Sequence, residues 1–222
     1  MNLKRHVTTG LSRIELVVLV AMLGLIIVCV LPMLLPHRGA AKIARRTACI
    51  GNLKQVGLSF LIYANDNGNE FPWMVSTNFN PTNASGSLEF TNSAQVFRHF
   101  QAASNELNTP KVLRCPSDAG RQTAPDFANF GNTNVSYFVG LDARQDSQEM
   151  LLSGDRNITG GTLSNGFLRV LQTNTPAGWT PAIHKNAGNI GLADGSVLQA
   201  NPPTLQRQLQ MQTFNDIRLA IP

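Results

Sequence analysis

The feature that most restricts this chain is an apolar run at residues 16–35 that holds no charged side chain. As a helix these residues span roughly 30 Å at about 1.5 Å per residue, which matches the hydrocarbon core of a bilayer. A cleaved secretory signal would carry a shorter apolar region and then small residues at a cut site. Here Pro32 and Pro36 come instead, and a helical pattern resumes beyond them. After Asn65 the chain turns rich in Asn, Ser, Thr and Gly, with short apolar islands. The split predicts an anchor followed by a folded domain.

The formal charge of +5 would suit a nucleic-acid partner, but its placement does not. Lys4, Arg5, Arg13, Arg38, Lys42, Arg45 and Arg46 all flank the apolar run, as charges beside a membrane do. Further on, the basic residues are scattered and form no patch interleaved with aromatics, so nucleic-acid binding is not expected. Basic residues on both sides of the run leave its orientation undecided by charge alone.

Residues 40–64 are amphipathic. Ile43, Thr47, Ile50, Leu53, Val56, Phe60 and Leu61 recur at three- and four-residue steps, and Lys42, Arg45, Arg46, Asn52 and Lys54 fill the other positions. Gly51 and Gly57 each weaken such a helix by about 1 kcal/mol relative to Ala, unless a sheet packs closely over them. The rest reads as α+β. A helix is predicted at 94–107, strands at 135–139, 149–152, 167–171, 180–184, 189–193 and 196–199, and a short helix from Pro203. Asp194-Gly195, between the last two strands, predicts a type I′ hairpin.

Glu15 stands out as a carboxylate at the margin of an apolar helix, and a place among lipid headgroups would by itself accommodate it. The surrounding residues, Thr9-Gly10-Leu11-Ser12-Arg13-Ile14-Glu15-Leu16, resemble the prepilin cleavage and methylation site of type IV pilins and type II secretion pseudopilins. In that family a short basic leader ends in Gly and the fifth mature residue is Glu; counted from Leu11, the fifth residue here is Glu15. Pro32 also stands where many pilins carry a helix-kinking proline.

The resemblance implies a leader at 1–10 removed after Gly10 by a prepilin peptidase, and a methylated amine on Leu11. It also implies a transmembrane helix at 11–36 and an exported pilin-like domain at 37–222, whose long helix packs on an antiparallel sheet. Cleavage would lower the net charge to +3 by removing Lys4 and Arg5 from a chain of +5. Implied partners are the membrane, other pilin-like subunits and an assembly platform. The implied location is the bacterial inner membrane in a single pass, with the C-terminal domain periplasmic or in a surface filament. Glu15 becomes an assembly residue, its carboxylate pairing with the Leu11 amine of its own or a neighbouring chain.

The body also resembles a group of pilin-like proteins often present as many paralogues in one genome. The residues carrying this are Cys49-Ile50-Gly51-Asn52-Leu53-Lys54-Gln55-Val56-Gly57, Tyr63-Ala64-Asn65-Asp66-Asn67, Cys115-Pro116-Ser117-Asp118 and Gly154-Asp155-Arg156-Asn157. His184, nine further residues and then Asp194-Gly195 complete the set.

Of three cysteines, Cys29 lies in the apolar run and reads as a small hydrophobe. Cys49 and Cys115 fall in the exported part, either disulfide-bonded or as two buried thiols. Without CxxC spacing, no zinc site is expected. His184 and Asp194 would sit at opposite ends of one strand, which disfavours an acid–base dyad. They read as structural, with Asp194 and Gly195 forming the turn and His184 capping the other end. No G-x-S-x-G, H-E-x-x-H, P-loop or Rossmann pattern occurs, so no enzyme is expected. Asp66-Asn67-Gly68-Asn69-Glu70 offers oxygen ligands of the kind Ca²⁺ prefers, but its glycine is misplaced for an EF-hand, and a helix end is the simpler reading. No cofactor is expected. The functional expectation is a structural pilin-like subunit; the alternative is a membrane-tethered binding domain, for a carbohydrate or other surface ligand, that does not polymerise.

Overall fold

The computed structural model describes residues 12–34, 38–78 and 85–222. Gly10 and Leu11, and the join at 35–37 between the two N-terminal helices, lie outside the described residues. The chain divides into two compact units, Met1–Lys42 and Ile43–Pro222.

In the first unit, α1 spans Arg13–Leu34. Its large apolar side chains from Ile14 to Leu31 are exposed all round the helix. A helix apolar on every face needs an apolar surrounding, and Arg13–Leu31 is long and apolar enough to cross a membrane.

The second unit is α+β. Its long helix, α2, spans Arg38–Asp66, the first residues belonging to the first unit. The buried stripe is Cys49, Leu53, Val56, Phe60 and Tyr63, alternating steps of four and three. This corrects the predicted stripe at its start: Ile43 is 69% exposed and Thr47 is also exposed, because burial begins only at Cys49. Gly57 lies under the sheet, where an added Cβ would meet Gly195 Cα at 3.7 Å and Leu152 Cδ2 at 3.8 Å. Gly51 faces open space, so only one of the two glycines has the predicted cover.

Among the described residues nine strands follow in chain order: β1 Tyr137–Gly140, β2 Leu151–Asp155, β3 Ile158–Gly160, β4 Thr162–Ser164, β5 Leu168–Gln172, β6 Ala177–Trp179, β7 Gly188–Leu192, β8 Val197–Ala200 and β9 Asp216–Ala220. Seven form one antiparallel sheet in the order β4-β5-β9-β1-β2-β7-β8, and β3 pairs with β6 separately. A strand predicted at 180–184 is absent. The strand there is β6, ending at Trp179, because Pro181 lacks the N–H a ladder needs. Strands β3, β4, β6 and β9 were not predicted. The predicted helix at 94–107 is two short ones, α3 Phe97–Ala102 and α4 Ser104–Leu107, broken at Ala103.

The sheet is covered on both faces. Tyr137, Val139, Leu152 and Ala193 pack with the α2 stripe, while Phe138, Leu151, Ile190 and Leu192 pack with Leu205 and Leu209 of α5, Pro202–Gln210. Successive strand residues point to opposite faces, so β1, β2 and β7 are buried along their whole length.

Beside α2, Phe60, Phe71, Trp73 and Phe100 form an aromatic cluster, with Phe60 edge-on to Trp73 at 5.2 Å. His99 is sealed against it, its Nδ1 2.8 Å from Ser87 Oγ and its Nε2 without a hydrogen-bond partner among the described residues. Burial pulls its pKa down to about 4. A base depressed from about 6.5 in the unfolded chain contributes stability that is present above pH 6.5 and lost as pH falls to 4, roughly 3 kcal/mol in all. Denaturant titrations of the detergent-solubilised protein at pH 7 and 4.5 should show this loss in the parent and not in His99→Gln. Equal losses in both would show that His99 is not the acid-sensitive group.

Candidate functional site

Two places carry the residues singled out in the sequence. The first is the start of α1, where Ser12 is the N-cap. Its backbone N–H donates to Glu15 Oε2 at 2.8 Å, and the Glu15 N–H donates to Ser12 Oγ at 3.3 Å. This reciprocal pair is a capping box, which satisfies two donors that a helix start leaves open. Glu15 therefore has a local partner that the assembly reading did not foresee, although Ser-x-x-Glu ahead of an apolar run is a legible signal.

The second place is the interior of the second unit, where the segments of the paralogue-like pattern converge. Cys49 on α2 and Cys115, in a loop 66 residues on, are joined by a disulfide. Asn52, one turn further along α2, donates its side-chain amide to Arg114 O at 3.0 Å, so the helix grips that loop twice. Tyr137 on β1 donates from its hydroxyl to Cys49 O at 3.4 Å. Burial pushes this phenol well above its ordinary pKa, so it stays a donor.

Asp155 ends β2 opposite Tyr137 and has no exposed surface. Its Oδ2 accepts from the backbone N–H of Asn189 at 2.6 Å and from the Asn189 side-chain amide at 2.9 Å. Burial raises its pKa to about 7 against the opposing effect of those donors. A carboxyl raised in the folded state works in the opposite sense to His99, favouring the fold at low pH and losing that contribution as pH rises toward 7. His184 Nε2 lies 3.2 Å from Asn189 Nδ2, 3.4 Å from Asp155 Oδ2 and 3.5 Å from Cys115 Sγ.

His184 thus sits in a turn, not at the end of a predicted strand 180–184. Lys185 and Asn186 follow at φ 54° and 62°, a tight reversal that leads into β7. Asn157, just past β2, holds this loop by donating its amide to Thr180 O at 2.7 Å and Ala187 O at 3.3 Å. Nearby, Asp118 and Arg156 form a two-pronged ion pair, Nε to Oδ2 at 2.7 Å and Nη2 to Oδ1 at 2.9 Å. Burial alone would raise the Asp118 pKa, but the hydrogen bonds and charge of Arg156 outweigh it and hold the carboxyl below its ordinary range.

Asp194 and Gly195 lie at the far end of β7 from His184, as predicted, and join β7 to β8. The predicted turn type is corrected. Gly195 N–H donates to Leu192 O, Leu192 N–H donates to Ser196 O, and Gly195 alone of the turn residues has positive φ, at 83°. This is a type I turn closed by a glycine bulge, not a type I′ turn, which needs positive φ at two central positions. The Asp194 carboxylate accepts from Ser196 N–H at 2.8 Å, so it serves the turn.

The oxygen-rich segment after α2 works as a helix end. Asn67 donates its amide to Tyr63 O, Asn69 N–H donates to Ala64 O, and Gly68 and Asn69 take positive φ. Among the described residues, the group of His, Cys and acidic side chains placed closely enough for a metal is Cys49, Cys115 and His184. Sequence reasoning missed it because ligands 66 and 69 residues apart leave no short-range spacing signal.

The chain matches no protein-family model, no curated protein and no solved structure.

Proposed function

We propose that the protein is a pilin-like subunit, cleaved after Gly10, held in a bacterial inner membrane by α1 and assembled with other pilin-like chains. The observation that carries this reading is a helix apolar on every face, directly preceded by Thr9-Gly10-Leu11-Ser12 and carrying one carboxylate, Glu15, in its first turn. Such a helix is at home in lipid or in the apolar shaft of a filament. The α+β unit that follows, with a long helix laid on an antiparallel sheet, is compatible with a pilin-like fold. Cleavage would leave a cationic amine on Leu11, and burying it in a shaft without a counter-charge is costly, about 3–5 kcal/mol at a dry site. Glu15 supplies that counter-charge.

The capping box shapes the test. Glu15→Ala removes both charge and cap, whereas Glu15→Gln keeps an acceptor for the Ser12 N–H and removes only charge. Glu15→Gln protein should be inserted and cut to begin at Leu11, yet be depleted at least tenfold from sheared surface filaments, read by mass spectrometry. Parent protein found with an intact Met1 would end the processing part of the proposal. Parent protein cut at Leu11 but absent from every filament fraction would identify a tethered exported domain instead.

A further inference from the structure

We propose that Cys49, Cys115 and His184 hold a zinc ion, with a solvent oxygen completing its shell and Asp155 beside His184, when the two cysteines are in the dithiol state in which the chain is synthesised. The site is thus an alternative to the disulfide at the same point of the fold. The ligand atoms of Cys49, Cys115 and His184 already lie within 4.8 Å of one another, and all three residues are buried. A tetrahedral zinc ion with Zn–S about 2.3 Å and Zn–N about 2.0 Å sets its ligands roughly 3.4–3.8 Å apart. Cys115 Sγ and His184 Nε2 are 3.5 Å apart, and His184 Nε2 and Asp155 Oδ2 are 3.4 Å apart. On reduction the two sulfurs, no longer bonded to each other, move to nonbonded distance, while Asp155 stands beside His184 outside the group of three ligand atoms.

Three further observations favour a cation there. Asp155 Oδ1 is fully buried and has no hydrogen-bond partner among the described residues, so the carboxylate has an oxygen to spare. His184 Nε2 is the ring nitrogen that faces the cluster, within 3.5 Å of Cys115 Sγ and Asp155 Oδ2, and in the neutral tautomer protonated on Nδ1 it would offer its lone pair to an ion there in place of the Asn189 contact. The four residues come from separate elements, α2, the loop at Pro116, the end of β2 and the turn before β7. An ion on Cys49, Cys115 and His184 would therefore tie the two segments that the disulfide joins to the turn before β7. Binding is a ligand exchange without electron transfer. Two Zn–S bonds and one Zn–N bond form, each thiol gives its proton to solvent, and a water kept by the ion completes the shell.

The test uses the full chain in detergent with Cys29→Ser, which removes the third thiol. The protein is reduced anaerobically with a phosphine, freed of metal by a chelator and titrated with Co²⁺. One equivalent should produce a thiolate-to-cobalt charge-transfer band and the intense visible bands of tetrahedral cobalt, and Zn²⁺ should displace it. The air-oxidised, disulfide-bonded chain should give neither signal, and His184→Ala should weaken binding at least tenfold. Where His184→Ala fails to fold, zinc K-edge absorption of the reduced parent decides, with two sulfur neighbours at about 2.3 Å expected. A reduced parent that lacks the tetrahedral spectrum, folded or not, overturns the proposal. So does a spectrum unchanged by His184→Ala, or a zinc shell without sulfur.

Discussion

Replacing Cys49 and Cys115 together by Ala is expected to lower the stability of the Ile43–Pro222 unit by about 4 kcal/mol. The bond closes a loop across a separation of 66 residues, and the loop-entropy relation gives roughly 4.4 kcal/mol for that length at 25 °C. Both cysteines have no exposed surface, so two alanines also leave a small unfilled volume that adds to the loss. At about 2–4 °C per kcal/mol for a unit of this size, the melting midpoint should fall by roughly 8–16 °C. Trp73 and Trp179 are 2% and 5% exposed, so their emission reports unfolding of this unit in the full-length protein. A drop below about 1 kcal/mol would show that the unfolded chain gains little freedom when the link is removed.

Arg156→Ala should cost a similar amount by a different route. Asp118 is 1% exposed, and without the guanidinium it loses the two charge-assisted hydrogen bonds that hold its oxygens, keeping the Gly120 N–H at 3.0 Å. A buried carboxylate stripped of its partner costs about 3–5 kcal/mol. The pH dependence should also change sign. In the parent the depressed Asp118 pKa contributes stability above about pH 4, which is lost on acidification. Without Arg156 burial becomes the dominant influence, so the carboxyl shifts upward and its contribution is lost as pH rises instead. Denaturant midpoints of parent and Arg156→Ala between pH 4 and 7 should diverge with rising pH. A constant gap across that range would mean that Asp118 stays ionised and solvated by other means.

The sequence foretold some of this architecture more readily than the rest, for physical reasons. A charge-free stretch admits few alternatives, so α1 could be read directly. The β7–β8 hairpin could be placed from Asp194-Gly195, because a positive-φ glycine after an aspartate is a strong turn signal. Its type could not, since that depends on whether Asp194 or only Gly195 adopts positive φ. The inner stripe of α2 was displaced because Cys49 and Tyr63, which complete it, carry polar atoms, whereas Ile43, which looks apolar, stays exposed. Strand β9 had a usable pattern, Ile217 and Leu219 buried between exposed Asp216 and Arg218, and it was overlooked. Strand β4 offered no such pattern, as all three of its residues are exposed. The Cys49–Cys115–His184–Asp155 cluster is a product of long-range topology. Its members are brought together by the sheet order, which no local window encodes.

The place of β9 sets a constraint on how the unit can be built. It is the last strand in chain order, yet it pairs Leu171 with Ile217 on one side and Val139 with Ala220 on the other. Until residues 216–220 arrive, β4 and β5 have no hydrogen-bonded link to the other four strands of the sheet, and β1 and β5 each offer an open edge. A chain emerging N-terminus first would hold two incomplete half-sheets, and their joining is the kind of non-local step that slows folding. Open edges are also where two waiting copies can pair wrongly. Any machinery that moves this chain across a membrane would hand over a unit whose final staple arrives last.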